Sequence, residues 1–438
     1  MRRCHQRGDR LTMLLVVLAF AVLLLIGMPV AFAIGISGVL FFLQHPELPF
    51  TIPLQVTVSQ TQNFALLAVP LFIMAGNYMN RSGITESLLN LASVATGHFK
   101  GGLAQISIVL SALMGGVSGS AIADAAMQSR VLGEEMTKRG MSRGFTAGVI
   151  SFTSLLTPLI PPGIGMILYG TIGQVSIGRM FAAGFAPALL LGIAMSAAVW
   201  YTSNKRGYPP ERAKRASLAE VGSALRGGVW ALLFPVILLV GLRMGIFTPS
   251  EIGAFAVLYA LFIGFVIYRR LKTKSFLEAL EVSLADVGAA MFLISLSAIF
   301  SYGIVFERIP EVIASSLTSL TDNVQLVMVL IVLLVLAAGL FIDATVIIIM
   351  MTPIFLPAVR AMGGDPVHFG IVFIVAATIG NFTPPVGAAM FTVCSILRVS
   401  VGAYVRESLP LMFAIGLTTL LLIFVPDLVL LVPNLLFG

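Results

Sequence analysis

Charged side chains are scarce in this chain, because Asp, Glu, Lys and Arg supply 10% of its residues. Typical soluble domains contain about 25%. Hydrophobic residues make up 58% of the chain, a balance that excludes an ordinary soluble domain. Apolar windows of at least about 18 residues recur between Leu11 and Phe437, and each could cross a bilayer as a helix. The composition therefore predicts an all-α, polytopic membrane protein.

Cysteine and histidine are also rare. Cys4 and Cys394 fall in a terminal tail and in a predicted membrane helix, so no disulfide framework is expected. Gly116–Gly119 matches a G-x-S-G pattern of intramembrane serine proteases, which need a histidine at membrane depth. All four histidines fall at predicted helix ends or in loops: His5, His45, His98 and His368. Together with the absence of a Walker A motif, this predicts neither an enzyme nor an ATP-driven pump.

The net charge of +7 is confined to short segments between apolar runs. Examples are KRGMSR at 138–143, NKRGYPPERAKR at 204–215 and RRLKTK at 269–274. Such segments mark the cytoplasmic ends of membrane helices. They therefore predict a multi-pass membrane protein in contact with lipid, and do not indicate a nucleic-acid partner.

Two Pro-Pro pairs lie inside apolar stretches, Pro161-Pro162 and Pro384-Pro385, and each follows an aspartate at predicted membrane depth. Asp124 precedes the first pair by 37 residues and Asp343 precedes the second by 41. A repeated pair of broken apolar segments indicates a transporter binding site, because unpaired backbone inside a membrane must be satisfied by protein or water. The two aspartates are expected to occupy equivalent places.

Positive loops and segment lengths predict opposite orientations for the two copies. Leu103–Met136 begins and ends beside cytoplasmic cations and is interrupted near Gly115–Ser120, so a re-entrant hairpin opening inwards is expected. Val324–Pro357 is expected to enter and leave from outside, with a break near Gly339–Thr345. Broken membrane helices follow at Gly144–Thr171 and His368–Leu397. The arrangement predicts an inverted repeat.

The remaining segments complete a predicted division into four regions, comprising scaffold 11–98, first transport half 99–203, central scaffold 204–323 and second transport half 324–438. Leu11–Leu43 is either one helix kinked at Gly27–Pro29 or two short ones, which decides the side of the N-terminus. Ile84–Ser93 and Ser275–Val282 are expected to be interfacial arms. Other spans are expected at Arg179–Ser203, Trp230–Met244, Ile252–Tyr268, Leu284–Ile304 and Leu409–Leu431.

The two copies supply candidate oxygen ligands. Proline has no N–H and displaces the helix hydrogen bond, so each Pro-Pro pair frees carbonyl oxygens for a cation, while nearby half-helix N-termini attract anions. The first candidate set is Ser118, Gly119, Ser120, Asp124, Thr157, Pro161, Pro162 and Gly163. The second is Gly339, Asp343, Ala344, Thr345, Gly380, Asn381, Thr383, Pro384 and Pro385. Substrate contacts are expected at Ser120, Thr157, Asn381 and Thr383.

Other roles remain open for these residues. Gly and Ser could serve close helix packing, and proline could simply kink a helix. Asp124 and Asp343 could each bind Na⁺, relay protons or pair with an arginine such as Arg130. A passive channel built from half-helices, or a membrane receptor without turnover, would also use such breaks.

Five strings together resemble the large membrane subunit of TRAP transporters, the tripartite ATP-independent periplasmic transporters. They are VPLFIMAGNYMNRSG, GGVSGSAIADAA, LLTPLIPPGIGMILYG, GLFIDATVIIIMMTPIFLP and IGNFTPPVGAAMF. The resemblance covers nearly the whole chain after the first ten residues. It implies sodium-coupled import of an organic anion, such as a C4-dicarboxylate, sialic acid, a uronate or another carboxylate, by an elevator mechanism.

The resemblance also implies a location in the bacterial inner membrane, partners and ion sites. A small four-helix membrane subunit, expected as a separate polypeptide, and a soluble periplasmic binding protein would complete the transporter. Two Na⁺ sites are implied, one between each hairpin and its broken helix. By motif they fall on Ser118–Ser120 with Pro161–Gly163, and on Gly339, Asp343, Thr345, Gly380 and Thr383–Pro385. A stand-alone ion-coupled anion carrier of the same broader architecture is the alternative.

Overall fold

The computed structural model describes residues 15–384 and 387–438, and within them the regular structure is entirely helical. Six helices are long and apolar enough to cross a membrane, or up to eight if two sharply bent helix pairs each count as one span. The predicted all-α membrane fold is therefore confirmed.

The N-terminal helices are α1 (Leu15–Leu25), α2 (Val30–Gln44), α3 (Ile52–Thr61), α4 (Ala68–Arg81) and α5 (Ile84–Thr96). The first apolar stretch is two short helices, because Gly27 has a φ of +85° and Pro29 precedes the first turn of α2. A positive φ suits glycine, which has no Cβ atom. The residues that would fix the side of Met1 lie outside the described part of the chain.

Helices α3 and α4 form a broken span that the sequence reasoning missed. Their axes bend by 53° around a 3₁₀ turn at Phe64–Leu67. The Asn63 side chain accepts a hydrogen bond from the Ala65 N–H at 3.1 Å and so caps the new turn. The break contains neither glycine nor proline. Its available signal was the polar run Ser59–Asn63, which ends in an Asn suited to capping.

The first repeat follows the predicted order. It consists of α6 (Gly102–Gly115), α7 (Ala121–Val131), α8 (Gly133–Lys138), α9 (Arg143–Thr153), a 3₁₀ segment (Ser154–Leu159), α10 (Ile164–Ile172) and α11 (Ile177–Arg206). The chain turns back between α6 and α7 at Gly116–Ser120. The segments on either side of Pro161-Pro162 bend by 46°. Hairpin and broken helix therefore lie where their Gly, Ser and Pro residues indicate.

The central helices are α12 (Leu218–Arg243), α13 (Pro249–Phe262), α14 (Thr273–Phe306) and α15 (Ile309–Leu320), with a π turn at Ile263–Ile267 after α13. Helix α12 begins 12 residues before the predicted Trp230, since Ser217 and Glu220 form a capping box within the expected loop.

The prediction of an interfacial arm at Ser275–Val282 is wrong. That segment belongs to the continuous helix α14, because no Gly or Pro separates it from the span that follows. The short helix between scaffold and hairpin is α15, which Arg308, at a φ of +51°, separates from α14. It occupies the place in the second copy that α5 occupies in the first.

The second repeat consists of α16 (Val324–Gly339), α17 (Ala344–Ala361), α18 (Pro366–Asn381), α19 (Ala388–Leu397), α20 (Val401–Phe424) and α21 (Pro426–Phe437). The predicted single span Leu409–Leu431 is wrong, because α20 ends at Phe424 and Pro426 starts a new helix. Helix α21 packs along α11, where the Arg179 guanidinium donates to Asn434 at 3.3 Å.

The two repeats interlock through contacts across the copies. The Tyr169 hydroxyl of α10 donates to the Pro366 carbonyl at 2.7 Å, and Arg360 of α17 donates to the Gly173 carbonyl at 2.8 Å. Helix α10 also packs against α17. Separately, α14 packs against α2 and α4, while α4 packs against α13. The repeats also contact these scaffold helices, since α17 packs against α14 and α10 packs against α4.

We expect Tyr169→Phe to lower the stability of the purified protein by about 1 kcal/mol, because the partly buried hydrogen bond to the Pro366 carbonyl is lost. Thermal unfolding in detergent measures the change. Tyr201→Phe is the matched control, since that ring is 61% exposed. Equal effects from both substitutions would contradict the interlocking role.

Candidate functional site

The tip of the first hairpin touches the first proline break directly. Gly119 has a φ of +61°, and a Cβ atom added there would overlap the carbonyl oxygen of Pro162. A Cβ atom at Gly163 would likewise overlap the Pro158 carbonyl. Pro161 precedes Pro162 through a cis peptide bond. The glycines are therefore required so that two stretches of irregular backbone can meet.

One unpartnered hydroxyl and two backbone carbonyls lie at this junction. The Ser118 Oγ atom is buried and has no hydrogen-bond partner in the described structure. The Pro162 carbonyl lies beside Gly119. On the opposite side, the carbonyl of Val117 is 3.1 Å from the position of a Cβ atom on Gly76 of α4. The first candidate ion site thus offers hydroxyl and carbonyl oxygens next to the scaffold.

Asp124 lies one helical turn beyond the tip, in a buried network of neutral donors. Its carboxylate accepts hydrogen bonds from the hydroxyls of Ser111 at 2.7 Å and Thr157 at 2.9 Å. The Gln128 amide donates to both carboxylate oxygens at 3.0 Å. The network joins α6, α7 and the 3₁₀ segment. Asp124 therefore fastens the hairpin to the broken helix.

The suggested pairing of Asp124 with Arg130 is wrong. Arg130 is exposed, whereas Asp124 is 1% exposed and its hydrogen-bond donors are all uncharged. The helical repeat explains the difference, because residues six apart do not share a helix face, whereas Gln128, four residues on, does. Thr157, a predicted substrate contact, is engaged in the same network.

In the second hairpin, Asp343 lies at the tip itself. It caps α17, where its Oδ1 accepts a hydrogen bond from the Thr345 N–H at 2.8 Å. Its Oδ2 accepts a hydrogen bond at 3.0 Å from the side-chain amide of Asn381, the last residue of α18. The Asn381 Oδ1 atom is buried and unpartnered in the described structure. This site offers a carboxylate and a free amide oxygen.

The expected equivalence of Asp124 and Asp343 is wrong. Both Ser120 and Asp343 are N-caps of the returning hairpin helix, so Asp343 corresponds to Ser120. Asp124 lies four residues further along α7. The separations of 37 and 41 residues from the Pro-Pro pairs already differ by four, which is about one turn of helix.

Glycine contacts also bring the second hairpin and its broken helix together. A Cβ atom added at Gly339 would lie 2.8 Å from the Gly380 Cα atom, and one at Gly380 would lie 2.7 Å from the Gly339 Cα atom. The Thr383 hydroxyl, just after α18, donates to the Ile379 carbonyl of that helix at 2.7 Å. Thr383 and Pro384 line an apolar groove together with Leu340 of the hairpin turn. Pro385 lies outside the described residues.

A cavity of about 70 Å³ lies where both hairpin tips and both broken helices converge. From the candidate sets it collects Gly119, Ser120, Asp343, Ala344, Thr345 and Asn381. Thr157 and Thr383, two of the four predicted substrate contacts, are not in its lining. The lining also contains residues absent from those sets: Ala121, Ile122, Pro158, Ile164, Gly165, Ile348, Ile374 and Thr378.

The first turns of three helices face this cavity. Ala121 and Ile122 begin α7, Ile164 and Gly165 begin α10, and Ala344 and Thr345 begin α17. Sequence reasoning missed α10 because Gly163 was taken only as an ion ligand, although it is also the N-cap of α10. The lining contains no Lys, Arg or His.

We expect Asp124→Asn to destabilise the protein by about 1 to 3 kcal/mol, because an amide N–H would face the donors that now bind a carboxylate. Thermal unfolding measures the loss. Asp124→Asn combined with Gln128→Glu exchanges donor and acceptor, and we expect partial recovery. If Gln128→Glu restores none of the stability that Asp124→Asn loses, the proposed role of this hydrogen-bond network is contradicted.

Comparison with known proteins identifies the family. Residues 17–428 match the family described as "Tripartite ATP-independent periplasmic transporter, DctM component". The chain is 33% identical over 416 residues to the sialic acid TRAP transporter large permease protein SiaM of Vibrio cholerae, covering 95% of this chain and 97% of that protein. It is 31% identical over 406 residues to the 2,3-diketo-L-gulonate TRAP transporter large permease protein YiaN of Escherichia coli, covering 93% and 95%.

Solved structures share the fold at lower identity. The YdaH transporter of Alcanivorax borkumensis superposes with a TM-score of 0.62 at 16% identity, covering 87% of this chain and 88% of that one. MtrF of Neisseria gonorrhoeae gives a TM-score of 0.58 at 14% identity, covering 85% and 83%. The relatives are permeases, and with the apolar spans they identify a multi-pass inner-membrane protein. The chain belongs to the DctM family, the large permease component of TRAP transporters.

Proposed function

We propose that this permease imports an organic anion together with Na⁺ by an elevator mechanism. The observation that carries the proposal is the central cavity, which both hairpin tips and both broken helices enclose. Each break lies against the tip of its own hairpin, so ion and substrate sites would share one structural unit. Coupling then requires that cation binding and anion binding assist each other.

The anion is favoured by the helix ends at the cavity. The free N–H groups and the dipole of an α-helix N-terminus attract negative charge, and the first turns of α7, α10 and α17 all lie in the lining. Ser120, Thr378 and Asn381 add polar side chains. A carboxylate could therefore be held without a cationic side chain.

The cation is favoured by the oxygen atoms left without partners. Ser118 Oγ and Asn381 Oδ1 each lie beside one of the two breaks. The described residues contain no group of three or more His, Cys, Asp and Glu side chains of the kind that holds a transition metal. Hydroxyl, carbonyl and amide oxygens with one carboxylate fit a hard monovalent cation, as at other broken membrane helices. Na⁺ would be cargo here, bound at two sites.

Asp343 would couple the binding of the cation to the binding of the anion. Its carboxylate lines the cavity, so an incoming carboxylate would meet a like charge. Two such charges 4 Å apart repel by about 4 kcal/mol at an effective dielectric constant of 20. A cation held between Asp343 and Asn381 removes this repulsion. The substrate would then bind well only after Na⁺.

An elevator is favoured by the way the molecule packs. Tyr169, Arg360 and the Asp124 network tie the hairpins and broken helices into one unit. This unit contacts the α2, α4, α13 and α14 group through α17 against α14 and α10 against α4, which would be the surface along which it slides. A cavity of about 70 Å³ is also much smaller than the roughly 300 to 1,000 Å³ of typical ligand pockets. We infer that the unit moves as a body and that its tips separate to admit substrate.

Partners follow from the family, whose name describes a tripartite, periplasmic system. We propose a small four-helix membrane subunit and a soluble periplasmic binding protein. The isethionate TRAP transporter permease protein DctMQ of Oleidesulfovibrio alaskensis, 33% identical, is longer, since the match covers 64% of it. Sialic acid, 2,3-diketo-L-gulonate and isethionate, named for relatives, have an acidic group in common. An organic acid is the substrate class we propose.

We expect vesicles that contain the permease and both partners to accumulate the organic acid when a Na⁺ gradient is imposed. Radiolabelled uptake with choline replacing Na⁺ is the comparison, and it should be near background. Uptake that is indifferent to Na⁺ would overturn the coupling. Uptake of the same rate without the binding protein would favour a stand-alone carrier.

We expect Asp343→Asn to raise the Na⁺ concentration for half-maximal uptake by about tenfold or more, a loss of ~1.4 kcal/mol of cation binding. Asn remains a good helix cap, so the hairpin should keep its fold. Asp365→Asn is the matched control, because Asp365 caps α18 through the N–H groups of Val367 and His368. If the Na⁺ titration is unchanged in Asp343→Asn, this carboxylate caps α17 and does not bind Na⁺.

A further inference from the structure

Two apolar grooves lie on corresponding outer faces of the two repeats. Groove A, of about 920 Å³, is formed by α6, the 3₁₀ segment and α11, with α21 at one end. Groove B, of about 640 Å³, is formed by α16, α18 and α20. The lining of groove A includes Phe99, Ile108, Leu156, Leu189, Ile193 and Trp200. Groove A contains no residue of the candidate ion and substrate sets, whereas groove B is lined in part by Thr383 and Pro384.

Groove A has apolar walls and an apolar base. Leu189 and Ile193 on its walls are 65% and 58% exposed. At the base, Gly192 faces Leu156 and Ile108, where an added Cβ atom would make ordinary contacts of 3.8 and 3.9 Å. These apolar side chains suit a hydrocarbon chain as the occupant.

The length of groove A also suits a lipid chain. Its wall on α11 runs from Phe185 to Trp200, which spans about 22 Å at 1.5 Å per residue. One leaflet of a bilayer is roughly 15 Å deep in hydrocarbon. The groove can therefore take the whole of one acyl chain.

One end of groove A carries positive charge. Phe99 and Trp200 line that end, and Lys100 follows Phe99. Lys205 lies five residues after Trp200 and about 140° further round α11, at the helix end beyond the lining of the groove. Gly101 packs against Val199 and Ser203, which holds Lys100 close to this part of α11. Both lysines are exposed. Two neighbouring arginines form ion pairs within the protein, Arg206 with Glu407 and Arg212 with Glu220.

Groove B provides a comparison inside the same molecule. The chain leading into α16 carries Asp322, and the chain after α20 carries Asp427, and both side chains are exposed. Asp322 precedes the start of α16 and Asp427 follows the end of α20, and each is the charged residue closest in sequence to that helix end. An anionic headgroup would be repelled there, whereas groove A would attract one.

We propose that groove A binds an acyl chain of an anionic phospholipid, with the headgroup phosphate at Lys100 and with Lys205 adding positive charge at the same end of α11. Trp200 lies at the same end, as tryptophans do at membrane interfaces. Each lysine near an anionic surface contributes about 1 kcal/mol, or roughly fivefold in affinity. The site is independent of the proposed transport cycle.

The two tryptophans of the chain, Trp200 and Trp230, allow a direct test. With Trp230→Phe, Trp200 is the sole reporter, and its fluorescence is measured in phosphatidylcholine vesicles containing brominated phosphatidylglycerol or brominated phosphatidylcholine. We expect half-maximal quenching at a phosphatidylglycerol fraction at least about threefold lower than for phosphatidylcholine. The combined Lys100→Gln and Lys205→Gln variant should lose this preference.

Matched variants keep the outcome decisive. Lys272→Gln with Lys274→Gln removes two exposed lysines from another positive segment, and the preference should remain. If Trp230→Phe does not fold, the signal of Trp200 is obtained by subtracting that of Trp200→Phe from the unmodified chain. Equal quenching by both lipids would overturn headgroup selection. Absence of quenching by either lipid would overturn lipid occupancy and indicate that protein covers the groove.

Discussion

Unpaired backbone inside a membrane has to find its partners within the protein, and the architecture described above depends on this constraint. The breaks in the repeats could persist only where another segment supplies contacts. At the first break Pro162 meets Gly119, and at the second the Leu340 carbonyl accepts a hydrogen bond from the Gly387 N–H at 2.9 Å. Each hairpin tip is thus the partner of a broken helix, and the inverted repeat brings the four interruptions to one place.

The same constraint explains which features the sequence could predict. Glycine, serine and proline interrupt helices through local backbone chemistry, so both hairpins and the first broken helix were visible as strings of those residues. The bend between α3 and α4 has no such residue at its centre, and Asn63 acts there through a side-chain cap. The second arm was misplaced because amphipathic composition occurs both in a free arm and at the end of a long helix such as α14.

Some features of the candidate site could likewise be predicted from the sequence, and others could not. The proximity of Ser120, Asp343 and Asn381 followed from the repeat, but the difference between Asp124 and Asp343 depends on a shift of one helical turn that spacing alone leaves ambiguous. The contribution of α10 required knowledge of where Gly163 directs the chain. In the first repeat a carboxylate is used to hold elements together, and in the second a carboxylate faces the cavity. The repeats are similar in backbone and different in chemistry.

The contact between Gly339 and Gly380 limits how this sequence can diverge. Each α-carbon occupies the space that a side chain on the other would need, so neither position can gain even a methyl group without separating α16 from α18. The pair lies outside the lining of the central cavity. Adaptation to a new cargo can therefore proceed through residues such as Thr378 while this glycine pair stays fixed. Among relatives, the pair should identify the architecture and carry no information about the transported acid.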